Sequence, residues 1–331
     1  MFTLEQPAMW GFWTAEFVTP IITLIGIIGN SLAVVVMKSK SLRRKSYSHL
    51  LCALALFDSL TLIGREVQLV DQLLTTVLKR KGIFTDFSNV ACKIYHFLDQ
   101  VCYLMSSWLI VGMSAERLEA VCFPLRKSLL RTQRGAIGLI SGLFVALAVS
   151  QVFRLMYVEN IHGRCTAADD SIQLFLYLHI YMYQFGLVFG LPFILVLICN
   201  SLVIGQIYKV RKAIGDNRSA VVDRTHKTTY MLLTISFAYV ITMLPLIIIA
   251  IVAHVVSKRQ SMEGYNMYVA LKPFTDLFSV VSYTNYAMNF FVYVLSGQSF
   301  RKELRKIMIR DRNSSMYGTR TRTKDELIRL S

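Results

Sequence analysis

A bundle of seven transmembrane α-helices, an all-α fold with a short cytoplasmic amphipathic helix, is the architecture this sequence predicts. Three observations carry the prediction. Seven predominantly apolar stretches are each long enough in helix to cross a hydrocarbon core of about 30 Å, which takes roughly 20 residues. The basic residues crowd onto alternate connections between them. With 54% hydrophobic and 17% charged residues and few Gly or Pro, the chain has neither the polar surface of a soluble protein nor room for a long linker, so one membrane domain is expected.

The first span, 17–37, follows an opening segment, 1–16, without the charged start and cleavage site of a signal peptide, so it reads as an uncleaved anchor. The others run over 48–70, 91–121, 135–157, 178–207, 228–256 and 269–295, closing a bundle of 17–298. An amphipathic helix over 299–310 and a polar tail over 311–331 follow. Of the 36 Lys and Arg, 25 fall in 38–45, 126–134, 209–227 and 301–329, that is, in alternate loops and the C-terminal end. The positive-inside rule makes that side cytoplasmic and puts the N-terminus outside, as for a multi-pass plasma-membrane protein. The net charge of +16 is then explained by topology and anionic lipid, with no call for nucleic acid.

Four cysteines lie inside spans, whereas Cys92 opens the third and Cys165 sits in the outer loop after the fourth. Only that pair is placed for an oxidising compartment, so a Cys92–Cys165 disulfide is predicted to pin the second outer loop over the helix mouth. The sequons at Asn217 and Asn313 fall on the inner side and read as chance matches.

An ionisable group at the centre of a span costs about 3 kcal/mol or more and normally faces a cavity or a partner. Asp58, Asp99 and Arg117 therefore need explaining. Asp99 and Arg117 stand eighteen residues apart, five turns and about 27 Å, with Ser106 nearly on the same azimuth. One face of the third helix thus joins an outer acid to an inner base. Pro192 and Pro245 fall mid-span, where each removes a backbone donor and either kinks its helix or marks a static packing feature.

Gly29-Asn30, Leu54-Ala55 with Asp58, Cys92, Glu116-Arg117-Leu118, Pro124-Leu125, Pro192, Pro245 and Asn289-Phe290-Phe291-Val292-Tyr293 occur in an order and spacing that resembles the rhodopsin-like (class A) G-protein-coupled receptors over roughly 29–304. The Asn-Phe-x-x-Tyr ending, with Leu295-Ser296-Gly297, Phe300-Arg301 and Asn200, looks like the invertebrate FMRFamide and thyrotropin-releasing-hormone-like receptors. Departures from the family pattern are Leu118 for the aromatic after Arg117, Met243 for a tryptophan two residues before Pro245, and Phe290 for a proline. Thr225 stands where many members place a second acidic partner for the arginine.

The resemblance implies sites. Asp58, Ser106, Asn285 and Asn289 match the positions that hold an allosteric sodium ion, or else form a hydrogen-bonded polar core; no other cofactor is expected. Asp99 matches the carboxylate that takes a ligand cation in aminergic, opioid and somatostatin receptors, and Tyr283 the tyrosine of aminergic ones, with a mutual hydrogen bond as the plainer alternative. Gln184, Phe185 and Val188 stand where catecholamine sites use serines, and Leu246 and Ile247 replace the aromatics of an amine cage. Arg65, Glu66 and Asp276 add charges near the mouth, favouring an amidated peptide, although Arg65 and Glu66 can equally form an ion pair. Tyr283 occupies the position of the retinal-binding lysine, which excludes an opsin.

On the inner side, Arg117, Leu125 and Tyr293 would line a docking cavity for a heterotrimeric G protein, with Glu116 as the resting partner of Arg117. Ser314, Ser315, Thr319, Thr321, Thr323 and Ser331 are candidate phosphorylation sites for arrestin. The expected function is a peptide receptor, with an amine or chemosensory receptor as the alternative. A transporter would need inverted repeats and broken helices, which the sequence does not show. No nucleophile, metal cluster or phosphate loop suggests an enzyme.

Overall fold

The structure is a computed structural model that describes residues 9–125, 128–214, 220–257 and 262–309. Helix α1 is Trp10–Met37, α2 is Ser46–Gln72 with a terminal π-turn over Leu73–Val77, and α3 is Asn89–Cys122. The fourth span is α4, Gln133–Ser150, continued by α5, Val152–Tyr157. The fifth joins α6, Ile172–Tyr177, a π-helix over Leu178–Gly190, and α7, Leu191–Ile214. Helices α8, Ala220–Ser257, and α9, Met262–Ser296, complete the seven, and α10 covers 298–309.

Each helix shows lipid one stripe and the bundle another. On α1, Ala15, Thr19, Thr23, Gly26, Asn30, Ala33 and Met37 are buried at three- and four-residue spacing, while Phe17, Ile21, Leu24, Ile28 and Val35 are exposed on the opposite stripe. Gly11 of α1 has no room for a Cβ, which would collide with the Pro273 backbone of α9. Helix α3 is central, packing against α2, α4, α7 and α8, and Leu104, Met105 and Leu109 are fully buried in the core.

Among the described residues, four spans, within α1, α4–α5, α6–α7 and α8, are long and apolar enough to cross a membrane by composition alone. Helices α2, α3 and α9 are more polar because they carry Asp58, Arg65 and Glu66, then Asp99, Glu116 and Arg117, then Lys272 and Asp276. They can do so because the central charges point into the bundle: Asp58 is fully buried, and Glu116 and Arg117 are also buried.

The fifth span departs from an α-helix. The Leu191 N–H still bonds five residues back, to Gly186, after which Pro192 offers no donor. The carbonyls left at this register change find side chains instead. Trp108 Nε1 of α3 donates to Leu187 O at 3.0 Å, and Tyr239 Oη of α8 donates to Val188 O at 3.1 Å.

The all-α seven-helix bundle is as expected, with one addition outside the spans and two shifted boundaries. Val158–Ile161 and Arg164–Ala167 form an antiparallel hairpin turning at His162 and Gly163, both with positive φ as a two-residue turn requires. Helix α1 begins at Trp10, so the last residues of the expected outer segment 1–16 are helical. The amphipathic helix starts one residue before the expected 299–310, at 298. Both sequons, Thr225 and the tail hydroxyls from Ser314 to Ser331 lie outside the residues whose side chains are described.

Candidate functional site

Cys92 and Cys165 are bonded, with Cα atoms 5.3 Å apart, so the hairpin is tied to the top of α3 as expected. Asn160 sutures the hairpin further: its side-chain amide donates to Phe84 O at 3.0 Å and Phe87 O at 2.5 Å, and its backbone N–H donates to Asn89 Oδ1 at 2.9 Å. Beneath this hairpin lies a cavity of about 230 Å³, walled by the second, third, fifth, sixth and seventh spans.

Asp99 stands in that cavity, but its contacts differ from those expected. Its Oδ2 accepts from Gln68 Nε2 at 3.1 Å and from Gln100 Nε2 at 2.7 Å, and no hydrogen bond joins it to Tyr283. Gly64 makes room for the carboxylate, since a Cβ there would collide with Asp99 Oδ1. Tyr283 instead lies under the Arg65 guanidinium, 5.3 Å from carbon to ring centroid, and Arg65 Nε is buried with no hydrogen-bond partner among the described residues. Arg65 and Glu66 do not form the ion pair considered from the sequence; Glu66 accepts from Thr23 Oγ1 at 3.3 Å. Gln184 lines the cavity, whereas Glu66 and Asp276 do not, and Asp276 pairs with Lys272 at 2.5 Å.

Sequence reasoning missed Arg154. This side chain is buried at the outer end of the fourth span, where its Nε donates to Gln151 Oε1 at 2.9 Å and its Nη2 contacts His179 Nδ1 at 2.8 Å. The rings of Tyr183, Phe153 and Phe175 enclose the guanidinium at 4.6, 4.9 and 5.7 Å. Because the guanidinium only donates, His179 Nδ1 accepts and the proton of the neutral ring sits on Nε2. His179 and Tyr183 line the cavity, so Arg154 orders its wall from behind. The signal was present as an arginine inside a predicted apolar span.

Deeper in the bundle, Asp58 Oδ1 accepts from Ser106 Oγ at 2.6 Å and Asp58 Oδ2 from Asn289 Nδ2 at 2.5 Å. Asn285 is buried in the same seventh span, and Asn30 Nδ2 donates to Tyr286 O at 3.0 Å. One buried carboxylate with hydroxyl and amide oxygens fits a hard monovalent cation as well as it fits a hydrogen-bonded core.

At the inner end, Arg117 donates from Nε and Nη2 to Glu116 Oε2 at 2.9 and 2.7 Å, and its guanidinium lies 5.6 Å from the Tyr47 ring centroid. Met243 is buried two residues before Pro245 of α8. Tyr293 is fully buried with no partner for its hydroxyl among the described residues, packed 5.5 Å from Phe300. Leu125 does not join them; it is 97% exposed on the inner loop. An open inner cleft of about 620 Å³ is lined by Tyr47, Met231, Phe300 and the basic side of α10, whereas Arg117 itself is buried.

A family model described as the 7 transmembrane receptor (rhodopsin family) matches residues 29–293. Among curated proteins, the chain is 25% identical over 300 residues to growth hormone secretagogue receptor type 1 of Oryctolagus cuniculus, covering 86% of this chain and 78% of that protein. It is 25% identical over 334 residues to galanin receptor type 1 of Rattus norvegicus, covering 95% and 89%, and 26% identical over 320 residues to the Mus musculus counterpart, covering 92% and 85%. The narrower likeness to invertebrate FMRFamide-type receptors stays an expectation. With its bundle, its disulfide and its buried Glu116–Arg117 pair, the chain belongs to the rhodopsin family of seven-transmembrane receptors, which are signalling proteins and not enzymes.

Proposed function

We propose that this chain is a cell-surface receptor for an amidated neuropeptide, with its N-terminus outside and its C-terminus in the cytoplasm, acting through a heterotrimeric G protein. The observation that carries the reading is the setting of Asp99. Two side-chain carboxamides already donate to it, and Arg65 stands in the same cavity and forms no salt bridge among the described residues. A terminal carboxamide of a peptide brings the same N–H donor for Asp99 and a carbonyl that Arg65 can meet. A bare amine would satisfy Asp99 but set a second cation beside Arg65, and the cavity offers it Leu246 where an amine cage has aromatics. The peptide class agrees with relatives that are galanin and growth hormone secretagogue receptors.

Binding would favour the state in which the inner end of α8 has moved outward, so that Arg117 leaves Glu116 for the G protein. The Asp58, Ser106, Asn285 and Asn289 group would hold a sodium ion in the resting state and so oppose that change. Arrestin would take the phosphorylated tail.

The test is a calcium assay in cells carrying a promiscuous G protein, screening amidated neuropeptides, their free-acid forms and biogenic amines. An amidated peptide should act, with its free acid at least about tenfold weaker, the value of roughly one hydrogen bond to a charged group. Arg117→Ala should abolish the response and keep surface expression. A response to amines alone, or signalling retained without Arg117, overturns the reading.

A further inference from the structure

We infer that Glu16, Thr19, Thr23 and Glu66 form a second monovalent-cation site, in the seam between α1 and α2 and separate from the Asp58 centre. Glu16, Thr19 and Thr23 recur at three- and four-residue spacing on one stripe of α1. That stripe faces Glu66 of α2, because the Thr23 hydroxyl reaches Glu66 Oε2 at 3.3 Å. Ala15, Leu69 and Val280, all buried, close the seam with α9.

Two oxygens here have no partner among the described residues: Glu16 Oε1 and the hydroxyl of Thr19, a side chain that is 0% exposed. Buried polar atoms are normally paired, so each needs an explanation. The usual escape for a helical threonine is the carbonyl four residues back, which Thr14, Thr61, Thr234 and Thr242 all take. Thr19 does not, and neither does Thr23, whose hydroxyl turns to the carboxylate. The stripe thus brings the Thr23 hydroxyl to the Glu66 carboxylate and leaves the buried Thr19 hydroxyl and Glu16 Oε1 unpartnered beside it in sequence, together the kinds of oxygen a hard cation takes.

Charge decides the valence. Arg65 and Glu66 both lie within electrostatic reach of Glu16. The Arg65 guanidinium already offsets part of the charge of the two carboxylates, so a monovalent ion suits the seam better than a divalent one. Both carboxylates are partly exposed and the hydroxyls are buried, so the ion enters past the acids onto the threonines.

The test needs no agonist, so it stands or falls apart from the peptide reading. The full-length receptor in nanodiscs is unfolded thermally in sodium chloride and in choline chloride at equal ionic strength. The Asp58→Asn receptor should keep a sodium-dependent rise in Tm, and adding Glu16→Gln or Thr19→Val should remove it. Thr19→Val keeps both carboxylates and decides the matter alone if the Glu16 variant does not fold. Loss of all sodium dependence in Asp58→Asn, or a rise that survives Thr19→Val, overturns the site.

Discussion

Replacing Tyr239 by Phe removes one oxygen from the structure and leaves the ring in place, which tests the hydroxyl that holds the fifth span to α8 and also lies near Ser107 of α3. Tyr239 is 1% exposed and its hydroxyl donates to Val188 O at 3.1 Å. That carbonyl lies four residues before Pro192, so its α-helical backbone donor does not exist. Hydrogen bonds between membrane helices average about 0.6 kcal/mol and reach about 1.7 kcal/mol, because the separated helices find other partners. A buried carbonyl left unsatisfied costs about 1–3 kcal/mol. Tyr239→Phe should therefore lose about 1–2 kcal/mol, read from detergent-driven unfolding of the purified receptor. The control is Tyr181→Phe, which removes a 3.0 Å bond to His254 at an exposed position and should cost under about 0.5 kcal/mol. Trp108→Phe takes the partner from the adjacent Leu187 carbonyl, and the double variant should show coupling, since both bonds hold one register change. A Tyr239→Phe receptor no less stable than the Tyr181→Phe control would refute the reasoning.

Two further outcomes are expected. Arg154→Lys keeps a buried charge but loses the fork that serves Gln151 and His179, so it should cost about 2–4 kcal/mol, whereas Arg154→Met, which removes the charge and fills the ring cage, should be better tolerated in the same unfolding assay; equal stability of Lys and wild type would contradict this. Gly64→Ala should leave surface expression unchanged, because the atom it displaces is the free end of a side chain, yet raise the agonist concentration for half-maximal calcium response about tenfold by moving the Asp99 carboxylate.

The bundle was legible because its signals are long-range and periodic: apolar stretches, alternating basic loops and the paired Cys92 and Cys165 need no side-chain detail. That Asp58, Asp99 and Arg117 need partners was legible from burial alone, whereas the grouping of Asp58 with Ser106 and Asn289, and of Glu116 with Arg117, came from the resemblance to the receptor family; hydrogen bonds join both groups. Partner choice near the mouth was not legible. Asp99 could reach Tyr283, Gln68 or Gln100, and the winner depends on Gly64 clearing space on α2 and on Arg65 covering Tyr283. The hairpin at Val158–Ile161 and Arg164–Ala167 was hidden because four-residue strands are too short for periodicity to register, although Gly163 marked the turn. The π-helix left no mark except Pro192, whose effect on Leu187 and Val188 depends on side chains from other spans.

That same segment explains how a small cavity can be heard far away. Tyr183, Gln184, Val188 and Phe189 line the cavity and belong to the π-helix, so the backbone there is already off the α register and has little to lose by shifting. Its carbonyls are held from two sides, by Trp108 on the helix that carries Asp99 and Arg117, and by Tyr239 on α8. A ligand pressing on Gln184 or Phe189 therefore works against two named hydrogen bonds and not against the whole bundle. Interhelical bonds of about 0.6–1.7 kcal/mol are of the size a ligand with modest differential affinity can move, so under the proposed function the fifth span would join ligand binding to a motion of α8.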